Sequence, residues 1–168
     1  MEKLAVRAAQ SADLDALADI TAELQALHVE QRPDHFRAVD RQSLERWSSD
    51  LLSNPQGMVW VAELNGEVVG SVVVSRPQRP DAPFHVPGAA WWLIDQIGVL
   101  ASHRRRGVGR AMALHVIGEA QKQGITQIQL NSWAFNQTAH AAFRSFGFAP
   151  RFIRFELPVG AARPEAAT

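Results

Sequence analysis

This sequence predicts an α/β fold with a mixed sheet, and three observations carry the prediction. Apolar segments of period two alternate with helical apolar stripes in the order β-α-α-β-β-β-α-β-α-β. An Asn65-Gly66 pair between two apolar runs marks a tight hairpin, so strands early in the sheet run antiparallel. A strand–helix–strand run over residues 91–131 then needs a crossover, which makes its two strands parallel. A chain of 168 residues without an internal linker or repeat reads as one domain over residues 1–157. The Ala- and Pro-rich residues 158–168 read as a short C-terminal tail.

Each element has its own justification. Residues 4–9 form a short strand, and Ser11 or Asp13 is placed to cap the helix that follows. In that helix Leu14, Leu17, Ile20, Leu24 and Leu27 recur at steps of three and four, giving one apolar stripe to about His28. Pro33 breaks the next stretch into a loop. A second helix over residues 40–52 turns Leu44, Trp47, Leu51 and Leu52 inward and stops at Asn54-Pro55-Gln56-Gly57. Residues 58–64 and 67–74 are the arms of a type I′ hairpin. Four prolines make 76–88 a long irregular connection to a strand at 91–100. A helix to about residue 123 follows, with Gly124 as its C′ residue, then an alternating strand at 126–131. Asn136 caps a last helix whose Ala139, Phe143 and Phe146 share a face and which Gly147 ends. Residues 148–157 form a last strand.

Composition narrows the function. An apolar fraction of 46% with 20% charged residues describes an ordinary globular protein. The net charge of zero argues against a general nucleic-acid or anionic-membrane binder, although Arg104-Arg105-Arg106 forms a local basic patch that an RNA can contact. No run is long enough to span a membrane and no apolar leader opens the chain, so a cytoplasmic protein is expected. Heavy use of Arg over Lys and abundant Ala suggest a bacterial, GC-rich coding sequence. The chain has no Cys, which removes disulfides, thiolate nucleophiles and Cys metal sites, and it has no Tyr. Its six His show no His-x-x-x-His spacing, so no metal is expected.

The stretch from Ile94 to Arg110 organises the rest. A strand that ends in a basic turn and Gly107-Val108-Gly109 at a helix start aims several unpaired N–H groups at one point, where the helix dipole is positive. That is a seat for a phosphate or pyrophosphate. Gly107 and Gly109 let a ligand approach the backbone, and the preceding arginines add charge-assisted contacts. The Gly-Lys-Ser/Thr of a Walker loop and the dinucleotide fingerprint are both absent.

Arg104-Arg105-Arg106-Gly107-Val108-Gly109 resembles the Gln/Arg-x-x-Gly-x-Gly/Ala motif of the GNAT N-acetyltransferase superfamily. Asn136, Ala139, Ala142, Phe143, Gly147 and Phe148 resemble its second motif, Asn-x-x-Ala-x-x-Phe-Tyr-x-x-x-Gly-Phe, and the element order resembles the family's over residues 4–157. The resemblance implies a GNAT-like mixed, centrally splayed β-sheet flanked by α-helices. It also implies an enzyme that moves an acetyl group from acetyl-CoA to a primary amine of a small molecule or protein by direct attack. By position, Ile97 and Val99 offer backbone groups to the pantetheine arm. Arg104, Arg105, Arg106, Gly107, Val108 and Gly109 hold the pyrophosphate, and Arg110 assists. Asn136 and Ala139 lie near the arm and Phe143 near the thioester sulfur. The acceptor pocket lies near the loop between the first two helices, where His28 and His35 sit. A homodimer is common in the family.

The chemistry needs a base, because an alkylamine with a pKa of about 10.4 is protonated at neutral pH. Asp95 is the candidate, either as that base or as an ion-pair partner of one of the arginines; Glu63 and Gln96 follow it, Gln96 only as a water-positioning group, and a β-bulge on this strand decides which side chains face the cleft. A backbone N–H on the same strand can meet charge developing on the carbonyl oxygen. The family's usual general acid is a Tyr, and here Phe143 stands in its place. A thiolate of pKa about 8.5 leaves without strong help, and water, Ser145 or His140 can protonate it. The same replacement supports a second reading, a non-catalytic domain that binds or senses acetyl-CoA.

Overall fold

The computed structural model describes residues 2–76 and 90–159. Its elements are β1 (Leu4–Ala8), α1 (Leu14–Gln31), α2 (Arg41–Ser53), β2 (Gly57–Leu64), β3 (Glu67–Ser75), β4 (Trp91–Val99), α3 (Val108–Lys122), β5 (Gln127–Leu130) and α4 (Gln137–Ser145). Five strands form one sheet in chain order, β1-β2-β3-β4-β5, with the first three pairings antiparallel and β4–β5 parallel. The mixed sheet is the one the hairpin and the crossover demand. Asn65 and Gly66 both have positive φ, 54° and 91°, as a type I′ turn requires.

β3 is the middle strand, and residues 69–74 are buried on both faces. Its near-continuous Val run fits that position, since β-branched side chains pack well on a pleated surface covered from both sides. On one face α3 lays Val108, Met112, Val116 and Ala120, spaced four apart, over Trp60, Val72, Trp92 and Ile94. On the other face Leu17 of α1, with Leu51 and Leu52 of α2, covers Val59, Val61 and Val73. Ser48 is buried beside that line, and Trp47, expected inward, is 41% exposed, because α2 turns Leu44 and Ser48 to the core and leaves 47 on the flank.

Two local expectations change. Asp40 caps α2, accepting from the Ser43 N–H at 2.8 Å. Asp13 does not cap α1; its carboxylate accepts from both Arg7 Nη atoms (2.8 and 2.9 Å) and from the Gln10 N–H (2.8 Å). The Arg7 guanidinium beside it holds Asp13 below the usual carboxylate range. Arg7 also binds Glu63 at 2.9 Å, so the start of α1 is pinned to the β1–β2 edge by one arginine.

The final strand expected over residues 148–157 is not formed. The Phe148 N–H turns back to Phe143 O at 3.0 Å, which holds the chain in the end of α4, and Pro150 has no N–H to give a ladder. β5 therefore ends the sheet among the described residues, and residues 149–159 carry exposed side chains. The long connection expected at 76–88 falls, apart from Arg76, outside the described residues, as do Phe84, His85 and the tail from 160. No helix among the described residues is long and apolar enough to cross a membrane.

Candidate functional site

The site begins where β4 and β5 part. Their pairing runs from Trp91↔Gln127 to Ile94↔Leu130 and stops, so residues 95–99 of β4 have no strand on that side among the described residues. The splay is the one expected. β4 also carries a bulge here. Val74 faces Ile94 and Val73 faces Gln96, which leaves Asp95 as the extra residue, exposed on its strand. After the bulge the side chains alternate again. Ile97 and Val99 pack toward the α3 side of the core, while Gln96 and Gly98 lie under α1.

Gly98 sets how closely α1 approaches. A Cβ at Gly98 would stand 2.6 Å from Leu24 Cδ1 and 3.0 Å from Ile20 Cγ2, so any larger residue at this crossing requires Leu24 to move. One turn away, Gln96 Nε2 donates to Thr21 Oγ1 at 3.1 Å. Thr21, Leu24 and His28 share a helix face at steps of three and four, so the same stripe continues from the strand toward the end of α1.

The turn after β4 makes the second wall. Arg105 and Gly107 both have positive φ, 59° and 81°. The alternation of left-handed and ordinary residues turns successive N–H groups inward, an anion-binding arrangement. No side chain caps α3; its first backbone bond is from the Ala111 N–H to Gly107 O at 2.9 Å, which leaves the N–H groups of Val108, Gly109 and Arg110 at the helix mouth. The Val108 side chain is buried in the core and anchors the helix start from beneath. A Cβ at Gly107 would meet nothing within 4 Å, whereas one at Gly109 would sit 3.8 Å from Phe146 Cζ and 3.9 Å from Val99 Cγ2. The first motif, the β4 end and the end of α4 thus converge on one point, and the backbone around it fits a pyrophosphate.

The three arginines divide. Arg104 donates to Val99 O at 3.1 Å and lies 3.7 Å from Glu23, which also takes the Ala101 N–H at 2.8 Å. Arg106 is bonded to Glu2. Arg105 and Arg110 make no side-chain hydrogen bond or ion pair among the described residues and are exposed, which makes them the two free cations beside the helix mouth. In the second motif Asn136 caps α4, its Oδ1 accepting from the Ala139 N–H at 3.1 Å, and Phe143 packs edge-on to Phe148 at 6.2 Å. Ser145 donates its hydroxyl to Ala142 O at 2.7 Å. Glu63, an alternative base in the sequence, is bound to Arg7 on β2, with β3 lying between it and β4.

An aromatic cluster that the sequence did not assemble joins α1 to the loop after β5. His28 lies 4.9 Å from Phe36 and 6.0 Å from Phe135; His35 lies 5.1 Å and Phe36 5.3 Å from Trp133. Arg32 sits over the Trp133 ring at 5.0 Å and forks to Asp34 (2.8 Å) and Glu156 (2.9 Å). Burial lowers the His28 pKa. Trp133 and Phe135, two aromatics in a loop just before the Asn136 cap, were the available signal. Among the described residues no group of three or more His, Asp or Glu side chains converges as a metal site would need. An open groove of about 250 Å³ runs between Ile117, Ile125, Ile128, Phe146 and Phe148, sharing Phe146 with the helix mouth.

A sheet splayed beside a glycine-bearing helix start sets unpaired N–H groups next to an open strand edge, and comparison with known proteins gives this fold a family. The acetyltransferase (GNAT) family model matches residues 18–148. The chain belongs to the GNAT acetyltransferase family. It is 38% identical over 132 residues to the ribosomal protein bS18 alanine N-acetyltransferase of Escherichia coli (strain K12), covering 77% of this chain and 76% of that one. It is 33% identical over 97 residues to N-acetyltransferase family 8 member 3 of Mus musculus, a match over 58% of this chain that spans only 41% of the relative's length. The crystal structure of a tetramutant of the BH1408 protein from Bacillus halodurans has the same fold, with a TM-score of 0.82 at 22% identity over 92% of this chain and 99% of that chain.

Proposed function

We propose that this protein transfers an acetyl group from acetyl-CoA to a primary amine by direct attack. The observation that carries the reading is the convergence of the helix mouth at Gly107–Gly109, the unpaired end of β4 and Phe146 on one point. In this reading the N–H groups of Val108, Gly109 and Arg110 bind the pyrophosphate, with Arg105 and Arg110 adding charge. Residues 97 and 99 give backbone groups to the pantetheine amides, and Asn136, Ala139 and Phe143 border the arm. When bound, the donor supplies a thioester whose carbonyl carbon the amine attacks.

The acceptor enters beneath the α1 stripe, walled by His28, Phe36, Trp133 and Phe135. Asp95, placed outward by the bulge, accepts the proton of the ammonium directly or through water. Holding amine and thioester together in the cleft supplies much of the remaining acceleration. Phe143 cannot donate a proton, and the Ser145 hydroxyl is already given to its own helix; water or His140 protonates the departing thiolate. The similarity to the bS18 alanine acetyltransferase favours a protein N-terminus among the candidate acceptors.

The test is calorimetric titration with acetyl-CoA, followed by thiol release against a panel of polyamines, aminoglycosides and peptides with free N-termini. Binding with release for one amine class supports the proposal, and absence of binding overturns it. Phe143 favours one second reading, an acetyl-CoA-binding domain without turnover; binding with no release from any amine is its signature. Asp95→Asn is expected to lower kcat at neutral pH by about a hundredfold or more while leaving acetyl-CoA affinity unchanged. An unaltered pH–rate profile removes Asp95 as the base.

A further inference from the structure

Pro33 stops α1, and the His35 and Phe36 N–H groups both return to Arg32 O, at 3.0 and 2.9 Å, which folds Asp34 back beside the Arg32 side chain. The guanidinium then takes every carboxylate oxygen of two neighbours. Arg32 Nε and Nη2 each donate to an oxygen of Asp34 at 2.8 Å, and Nη1 and Nη2 donate to those of Glu156 at 3.1 and 2.9 Å. The same group lies over the Trp133 ring at 5.0 Å. One resident cation thus occupies two carboxylates and a ring face. The remaining wall is ring surface: His28, Phe36, Trp133 and Phe135 are all half-buried, so each keeps part of its ring open. The cluster stands across the splay, because Thr21 and Leu24 of the same α1 stripe lie over Gln96 and Gly98 of β4, while Trp133 and Phe135 follow the end of β5. Of the other carboxylates on this part of α1, Glu23 accepts from the Ala101 N–H, and Glu30 is on the opposite side of the helix from His28.

We propose that Arg32 sets the acceptor class: the acceptor is a monoamine with an aromatic group beside its amine, and amines carrying several positive charges are refused. The inference rests on the acetyl-transfer reading above and deepens it. A second ammonium on the acceptor needs a carboxylate or a ring face to replace the water it gives up. At this wall it meets a guanidinium that already holds both, and like charges brought together discriminate against that acceptor. An aromatic group on the acceptor needs neither. It packs edge to face on half-open rings, as His35 and Phe36 already do on Trp133 at interplanar angles of 63° and 76°. The single amine is left to point along the stripe toward β4. A small arylalkylamine and a peptide N-terminus followed by an aromatic residue share this chemistry.

Three amines test it: phenethylamine, a peptide with a free N-terminus and Phe at its second position, and spermidine. Each is measured as an acceptor with saturating acetyl-CoA and, separately, as a ligand by calorimetry. The wild-type protein is expected to prefer the aromatic amines over spermidine by about tenfold in both readouts. Preference for either one supports the proposal, and the faster of the two tells a small amine from a protein N-terminus. Arg32→Met releases Asp34 and Glu156, whose side chains are 62% and 60% exposed. It should raise kcat/KM for spermidine relative to phenethylamine by about threefold to thirtyfold, the worth of two exposed charge contacts. Trp133→Ala should shift the same ratio by raising KM for phenethylamine, and Trp133→Phe should restore it. A variant that is merely less stable loses both rates together, so the ratio reads specificity and not folding. Spermidine as the better acceptor of the wild type, or a ratio unmoved by Arg32→Met, overturns the acceptor class while thiol release upholds acetyl transfer. Tighter binding of the aromatic amines with no thiol release from any amine does the reverse: it overturns acetyl transfer and supports the acceptor class.

Discussion

Replacing Gly109 by Ala separates what this helix start does for the fold from what it does for a ligand, because the two effects have opposite sign. Gly109 is the second residue of α3 and its φ is not positive. An added Cβ meets only Phe146 Cζ at 3.8 Å and Val99 Cγ2 at 3.9 Å, ordinary contact distances. The methyl therefore causes no collision, and the loss of glycine's chain entropy stabilises the helix by about 0.5–1 kcal/mol. For a domain of this size that raises the melting temperature by about 1–4 °C. The same methyl stands between the helix mouth, the end of β4 and Phe146, where the pyrophosphate is expected. Losing one charge-assisted N–H contact costs about 1.5–3 kcal/mol, or about 10- to 150-fold in acetyl-CoA affinity. Differential scanning fluorimetry gives the first quantity and calorimetry the second. Gly107→Asn completes the set: Asn tolerates the positive φ of 81°, but its side chain occupies the open space in front of the turn. A Gly109→Ala protein that melts higher and binds acetyl-CoA as tightly as wild type would refute the cradle.

Two further outcomes follow from the packing around α1. Gly98→Ala drives a methyl to 2.6 Å from Leu24 Cδ1 and should destabilise the protein by about 1–3 kcal/mol in urea unfolding; adding Leu24→Ala should recover part of the loss, and additive penalties would show that the contact is not the cause. His28 has its pKa lowered by burial, so the fold binds fewer protons there than the unfolded chain does. Its stabilising effect is whole above the unfolded value of about 6.5 and is lost as pH falls through the lower folded value. Melting between pH 7 and 5 should therefore drop less in His28→Phe, which keeps the contact with Phe36, than in wild type; equal drops would exclude His28 as the source.

What the sequence made legible is what local chemistry decides. Asn65-Gly66 needs two positive φ angles and has them; Asn136 caps the helix it precedes; the Gly-bearing turn after β4 opens α3 as its spacing requires. The failures are all decisions made at a distance. Residues 148–157 read as a last strand, but an apolar run says only that side chains want cover, not that a partner strand is within reach. The place of the bulge that leaves Asp95 exposed is likewise set by register against Val73 and Val74, which spacing along one strand does not give. Trp133 and Phe135 meet His28 and Phe36 across about a hundred residues of chain, a neighbourhood no periodicity reveals. Trp47 shows a smaller version of the same limit, since Ser48 rather than the larger ring faces the core.

The parting of β4 from β5 has a consequence for how long the protein lasts as well as for what it binds. Past Ile94 and Leu130 the β4 edge is open toward the cleft, so an amide-bearing ligand lying along residues 97–99 acts as a removable length of strand. Such a ligand binds the folded chain and not the unfolded one. By thermodynamic linkage, a concentration a hundred times its dissociation constant adds about 2.7 kcal/mol to the unfolding free energy. That is a sizeable fraction of what holds a domain of this size together. Under the proposed function the donor is that ligand, and saturating acetyl-CoA is expected to slow both unfolding and proteolysis of the purified protein.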